Sequence, residues 1–206
     1  WHGLFGGVYL NYLRHAVYEH LIGAEKIMDG AIHGDEDWIE YRLTDFNKDL
    51  YDDILISGKN LNLYFSPHEG GSLFELDFKP CSFNLANSFT RKMEGYHRRL
   101  KLQNGMSGEQ AQAGQPLSVH AVSRVKEEGL QRYLVYDWYQ RYSFLDHFLD
   151  STTTLEAFSM SRYTERGDFI NAPYALRRIQ KAPAAPAVSC LLAREGLVVE
   201  DYDQKR

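Results

Sequence analysis

Carboxylates are the most abundant groups in this 206-residue chain that could do acid–base chemistry. Two runs concentrate them, "DGAIHGDED" at 29–37 and "DLYDD" at 49–53. Cleavage of a glycosidic bond needs two carboxyl groups about 5–5.5 Å apart for retention of configuration, and further apart for inversion. Neither run sets such a distance, and both read as solvated loops, so no catalytic pair is assigned. The eight histidines offer no metal site. His15 and His20 lie five apart on a helix, about 140° around its axis. His33, His68, His97 and His120 fall in turns, and the neighbours Asp146 and His147 point to opposite faces of an extended strand. None of these spacings matches a zinc site. "GGS" at 70–72 lacks the Gly-x-Ser-x-Gly pattern of a nucleophile elbow, and "GLFGG" at 3–7 has neither the preceding strand nor the Lys of a phosphate loop. Trp1 and His2 remain: a Trp ring can stack on the apolar face of a sugar while an adjacent imidazole bonds its hydroxyls, although packing at a helix start accounts for the same two residues.

The elements that would position these groups follow from periodicity. Residues 8–29 form one strong helix, with Leu10, Leu13, Val17, Leu21, Ala24 and Met28 along one apolar stripe, Tyr9, Tyr12 and Ile22 widening it, and Gly30 placed to end it. Apolarity over so much of its circumference asks for neighbours on more than one side. The period then changes to two. "DDILIS" (52–57), "LNLYFS" (61–66) and "SLFELDF" (72–78) read as strands of an antiparallel meander; Leu61, Leu63 and Phe65 share one face of the second, and Phe74, Leu76 and Phe78 share one face of the third. "GKN" and "PHEGG" supply the turns. Residues 101–117 are polar, Gln- and Gly-rich and aperiodic, as in a long surface loop; residues 118–134 read as a short helix. "YDWYQRYSFLDHFLD" (136–150) crosses the core, 168–179 is a strand broken by Pro173, "KAPAAPA" (181–187) is a linker, and 188–202 is a hairpin turned at Arg194–Gly196. The fold class expected is mainly β with an N-terminal helix: 1–30 as the tail of a helical unit and 31–206 as an antiparallel β domain.

Composition narrows the function classes. The net charge is −5, with Lys+Arg 23 against Asp+Glu 28, and "HRRLK" at 97–101 is an isolated basic cluster, so nucleic acid is not an expected partner. No run of about 18 apolar residues is present, so no membrane partner is expected. Cys81 and Cys190, only two and far apart, read as reduced thiols of a cytoplasmic protein. Aromatic content is 14%, which suits a β core and also suits stacking on sugar rings.

Four blocks, in one order, carry a resemblance: "WHGLFGGVYLNYLRHAVYEHLI" at the start, "PHEGGSLFELDFKPCSFNLANSFTRKMEGYH" at 67–97, "YDWYQRYSFLDHFLD" at 136–150 and "RGDFINAPY" at 166–174. Together they resemble the family 57 glycoside hydrolases of the 4-α-glucanotransferase and α-amylase type. The resemblance implies a parent enzyme with an N-terminal barrel, a helical middle domain and a C-terminal β-sandwich of the galactose mutarotase-like type. It implies a retaining reaction on an α-1,4-glucan or maltooligosaccharide, without a cofactor. The family's nucleophile Glu and acid Asp belong to the barrel, and no residue here matches their motifs. Catalytic residues are therefore not carried over. A substrate-contacting role at the glucan cleft is carried over to Trp1 and His2, and the barrel becomes the expected intramolecular partner. The missing initial Met and the uncapped helix start fit a piece cut from such a parent, inactive by itself. Residues 101–117 and the tail after Ala182 depart from the family pattern. Two other readings stand beside this one. The sandwich could bind polysaccharide independently, which asks for exposed coplanar aromatics among Trp38, Trp138 and the tyrosines. It could instead be a mutarotase-like isomerase, for which His68, His97 and Glu69 are the nominal acid–base groups.

Overall fold

Alternating polar and apolar residues build the centre of the chain. A computed structural model describes residues 9–95, 97–98, 130–183 and 185–199, divided between two compact units. The first unit (1–89, 139–153 and 163–206) contains helix α1 (Asn11–His33) and strands β1 (Ile39–Thr44), β2 (Asp53–Gly58), β3 (Leu61–Ser66), β4 (Ser72–Phe78) and β5 (Phe83–Asn84). The five strands form one antiparallel sheet in chain order. Strands β6 (Ala175–Lys181) and β7 (Val188–Ala193) pair antiparallel in a second sheet. The fold is thus mainly antiparallel β with one N-terminal helix, as expected.

The large sheet is amphipathic because its strands are. Register places Arg42 opposite Leu55, Leu55 opposite Tyr64, Ser57 opposite Asn62, Tyr64 opposite Glu75 and Asn62 opposite Asp77. One face therefore carries Glu40, Arg42, Thr44, Asp53, Ser57, Asn62, Tyr64, Glu75 and Asp77, with Leu55 as the apolar residue among them. The other carries Ile39, Tyr41, Ile54, Ile56, Leu61, Leu63, Leu76 and Phe78. Between Tyr64 and Phe65 the register shifts, so that Leu73, not Phe74, pairs with Phe65. The Phe74 ring is turned to Tyr64 and Tyr142, with centroids 6.1 and 6.0 Å away. The expectation that Phe74 shares a face with Leu76 and Phe78 is corrected by this bulge, which inserts one residue and inverts the alternation. Gly70 lies in the preceding turn at φ 73°, and a Cβ there would meet the Ile170 carbonyl at 2.1 Å. Its N–H donates to the Ala172 carbonyl at 3.0 Å, which ties the turn to the 168–174 segment.

Three further expectations are corrected. Helix α1 runs through Gly30 and ends at Gly34, whose positive φ (62°) and N–H bond to the Gly30 carbonyl close the last turn. The segment after Ala182 does not fold back on itself at 194–196. Instead β7 pairs with β6, and "KAPAAPA" is the loop between them, closed by the Ala182 N–H to the Ala187 carbonyl. Its prolines cannot donate to a ladder, so the loop interrupts the two strands without separating them into different elements. The strand expected over 168–179 begins only at Ala175, beyond Pro173. Residues 136–150 touch the large sheet through a bridge between Leu73 and Ser143, and Tyr139 is buried. Residues 101–117 and 118–129 lie outside the described residues; Leu130–Tyr133 is one 3-10 turn.

The apolar face of the large sheet is incompletely covered. Pro186, from the β6–β7 loop, lines a cleft of about 270 Å³ with Ile39, Ile56, Leu61 and Leu63. Tyr41, Leu43, Leu61 and Phe78 remain exposed. The second unit (90–138 and 154–162) is organised around Asp137. The Asp137 carboxylate accepts from the backbone N–H of Arg91 at 2.8 Å, from Arg91 Nε at 3.0 Å and from Ser161 Oγ at 2.9 Å. Helix α2 (Leu155–Ser159) is capped by Thr154, whose Oγ1 accepts the Ala157 N–H at 3.1 Å.

Candidate functional site

The polar face of the sheet lies under α1, and the contact between them is unusual in chemistry. Among the α1 residues least exposed are Arg14, His15, Tyr18, Ile22, Glu25, Asp29 and His33, and only Ile22 is both apolar and buried. The stripe expected to seek a core faces away: Leu13, Val17, Leu21 and Met28 are exposed, with Tyr12, Ile27 and Ile32. Hydrogen bonds hold the helix. Asn62 Nδ2 donates to Glu25 Oε2 at 2.6 Å and to Asp77 Oδ2 at 3.2 Å. Lys79 Nζ donates to Asp29 Oδ2 at 2.7 Å and lies 3.7 Å from Glu25 Oε1. Arg14 Nε donates to Asn87 Oδ1 at 2.6 Å, and the His15 and Phe83 rings meet at 4.8 Å.

Electrostatics at this contact is dominated by buried acids. Burial pushes the Glu75 carboxyl up to about 8, helped by the negative charge of Asp77, a hydrogen bond with it, and Glu25. Burial also raises Asp77, against the lowering effect of its bonds to Asn62 and Glu75. Burial together with the charges of Glu75 and Asp77 pushes the Tyr18 phenol up to about 12; burial, Glu25 and Glu75 push up Tyr64. At neutral pH Glu75 is therefore protonated.

Above this network a cleft of about 270 Å³ opens between α1 and strands β1 and β2, lined by Glu25, Asp29, His33, Trp38, Glu40 and Arg42 among others. The indole in its lining is already covered. The Trp38 ring stacks on His33 at 4.0 Å and 15°, and Lys79 Nζ lies 5.1 Å from the ring centroid. Among the described residues no group of three or more His, Cys, Asp or Glu could hold a metal ion. No described helix is long and apolar enough to cross a membrane.

Trp1 and His2 lie outside the described residues. Of the nominal isomerase groups, His68 is stacked on Tyr51 at 3.4 Å in the first unit, which also holds Glu69, while His97 belongs to the second unit and accepts the Glu94 N–H. The residues that do converge, Glu25, Asn62, Glu75, Asp77 and Lys79, were missed from sequence. Their signal was there: "LNLYFS" and the "ELDF" end of the next strand place polar residues at every second position, the mark of a sheet with a polar face.

Comparison with known proteins decides the kinship. The family model described as alpha-amylase/4-alpha-glucanotransferase, C-terminal, matches residues 45–204, most of the chain. The chain belongs to this alpha-amylase/4-alpha-glucanotransferase family. The model of the same family's middle domain matches residues 1–28, which include most of α1. Similar proteins include Alpha-amylase 1 of Dictyoglomus thermophilum, 40% identical over 156 residues, 76% of this chain and 21% of that protein. The 4-alpha-glucanotransferase of Thermococcus kodakarensis is 32% identical over 97% of this chain and 30% of its own length. The crystal structure of the 4-alpha-glucanotransferase from Thermococcus litoralis superimposes with a TM-score of 0.69 at 30% identity, covering 98% of this chain and 25% of that one. The chain thus spans between a fifth and a third of the length of these relatives. For a member of this family, α1 stands where the middle-domain match gives way to the C-terminal one.

Proposed function

We propose that this chain is the C-terminal portion of an enzyme acting on α-1,4-glucans with retention of configuration, and that it supports a catalytic barrel rather than performing the chemistry. The family match over 45–204 carries this reading. In it, residues 1–30 end a helical domain, and residues 31–206 form a partial sandwich of the galactose mutarotase-like type. The outward apolar stripe of α1 (Leu13, Val17, Leu21 and Met28) docks on the preceding part of the polypeptide. Trp1 and His2 contact the substrate at the glucan cleft. The substrate is a maltooligosaccharide or longer α-glucan, and the compartment is the cytoplasm. An independent polysaccharide-binding module is less well supported: Trp38 is stacked on His33, Tyr64 and Tyr139 are buried, and the exposed rings, among them Trp138, Tyr12, Tyr41, Tyr51 and Tyr133, come from separate parts of the chain rather than one strand or helix face.

The test is substitution of Trp1→Ala and His2→Ala in a polypeptide that also carries the barrel. A cleft-lining role raises KM for maltooligosaccharides or lowers kcat about tenfold or more, with the melting temperature unchanged. Unaltered kinetics in both variants would remove these residues from the cleft.

A further inference from the structure

Asp77 is fully buried, and its two oxygens are unequally served. Oδ2 accepts from Asn62 Nδ2 at 3.2 Å, whereas no fixed N–H or O–H donor among the described residues reaches Oδ1. A buried carboxylate oxygen left in this way is costly. The neighbour able to serve it is Glu75, two residues along β4 on the same face, whose carboxyl hydrogen-bonds Asp77. A bond between two carboxyl groups requires a proton on one of them.

The groups facing the pair extend this logic to the helix. From α1 come Tyr18 and Glu25, with Arg14 beside Tyr18. From β3 come Asn62 and Tyr64, from the turn after β4 comes Lys79, and β5 places Asn84 opposite Asp77. Tyr142 completes the set through Tyr18. Three carboxylates, Glu25, Glu75 and Asp77, thus meet one nearby lysine, itself bonded to a fourth carboxylate, Asp29. Asn62 bonds Glu25 of the helix and Asp77 of the sheet with the same amide nitrogen.

We propose that Glu75 and Asp77 form a proton-operated latch for α1: one proton held between them keeps Asp77 and Asn62 in the arrangement that grips Glu25, and its loss loosens the helix from the sheet. With Glu75 ionised, two like charges face one another on β4, Glu25 adds a third, and Asp77 Oδ1 loses its donor. The apolar side of α1 makes no compensating contact with the sheet, since it faces away. Because burial and the neighbouring charges place the Glu75 transition at about 8, the latch opens under mildly alkaline conditions.

Hydrogen exchange of the full chain followed by mass spectrometry, corrected for the intrinsic dependence on pH, tests this. Protection of peptides within Asn11–His33 should fall at least fivefold between pH 7 and 9.5, while peptides of β2 and β3 keep theirs. Glu75→Gln retains a donor for Asp77 and cannot ionise, so its α1 protection should be flat over that range. Should Glu75→Gln fail to fold, carbon NMR of the Glu75 carboxyl in the unmodified chain decides the matter. A titration near 8, with Tyr18 and α1 resonances moving together, supports the latch. Constant α1 protection in the unmodified chain, an equal fall in Glu75→Gln, or a Glu75 titration near 4.5 would overturn it.

Discussion

Lys79 Nζ donates to Asp29 Oδ2 across 2.7 Å, and the Lys79 side chain is only 1% exposed. The residue leaves the large sheet at the end of β4 and reaches the last turns of α1. A lysine so buried is held by its ion pair and by the Trp38 ring, and it joins the helical part of the chain to the β part. The contact explains how a helix with its apolar stripe turned outward stays on the sheet.

Removal of one partner should therefore be expensive. Lys79→Ala leaves Asp29 and Glu25 without their cation and is expected to cost about 3 kcal/mol. Asp37→Ala, which breaks the exposed pair with Lys59 at 3.2 Å, should cost no more than about 0.5 kcal/mol. Urea unfolding of both variants compares them directly.

Two glycines should respond in opposite directions. Gly70→Ala places a Cβ against the Ile170 carbonyl at positive φ and should cost about 2 kcal/mol or more. Gly23→Ala meets nothing within 4 Å in the middle of α1 and should gain about 0.5–1 kcal/mol. Thermal melts of the two variants should move down and up respectively.

In the second unit, Asp137→Asn removes the charge that Arg91 and Ser161 address. The expected loss is about 3 kcal/mol, and Arg91→Lys should also destabilise, since a lysine cannot reproduce the fork of donors. Limited proteolysis should then cut within residues 154–162 faster than within β2 or β3.

Stability should also depend on pH with a definite sign. The Glu75 carboxyl titrates at about 8 in the folded chain, against 4.5 when unperturbed. The folded state binds the extra proton between these values, so the Glu75 contribution is fully present below pH 4.5 and is lost as pH rises to 8. Urea midpoints should fall across this window, and Glu75→Gln should flatten that fall.

Much of the fold was legible and much of the site was not. Strands β2, β3 and β4 were placed within a residue because their alternation is regular and glycine-bearing turns bound them. Strand β1, "IEYRLT", alternates apolar and polar residues as the others do, so its signal was present and was missed. The orientation of α1 was hidden because apolarity normally marks the buried side. Here the sheet offers Asn62, Glu75 and Asp77, so the polar side of the helix turns inward. The link between β6 and β7 was read as a linker because Pro183 and Pro186 conceal that its ends lie on one hairpin. The network around Lys79 has no motif, since four separate elements contribute to it.

The most direct test of the support role is turnover of maltooligosaccharides by the purified 206-residue chain, followed by chromatography of the products beside a polypeptide extended upstream through the barrel. The account predicts no transfer or hydrolysis above background by the chain alone, and redistribution of chain lengths or release of glucose by the extended polypeptide. Sustained turnover by the isolated chain would contradict it.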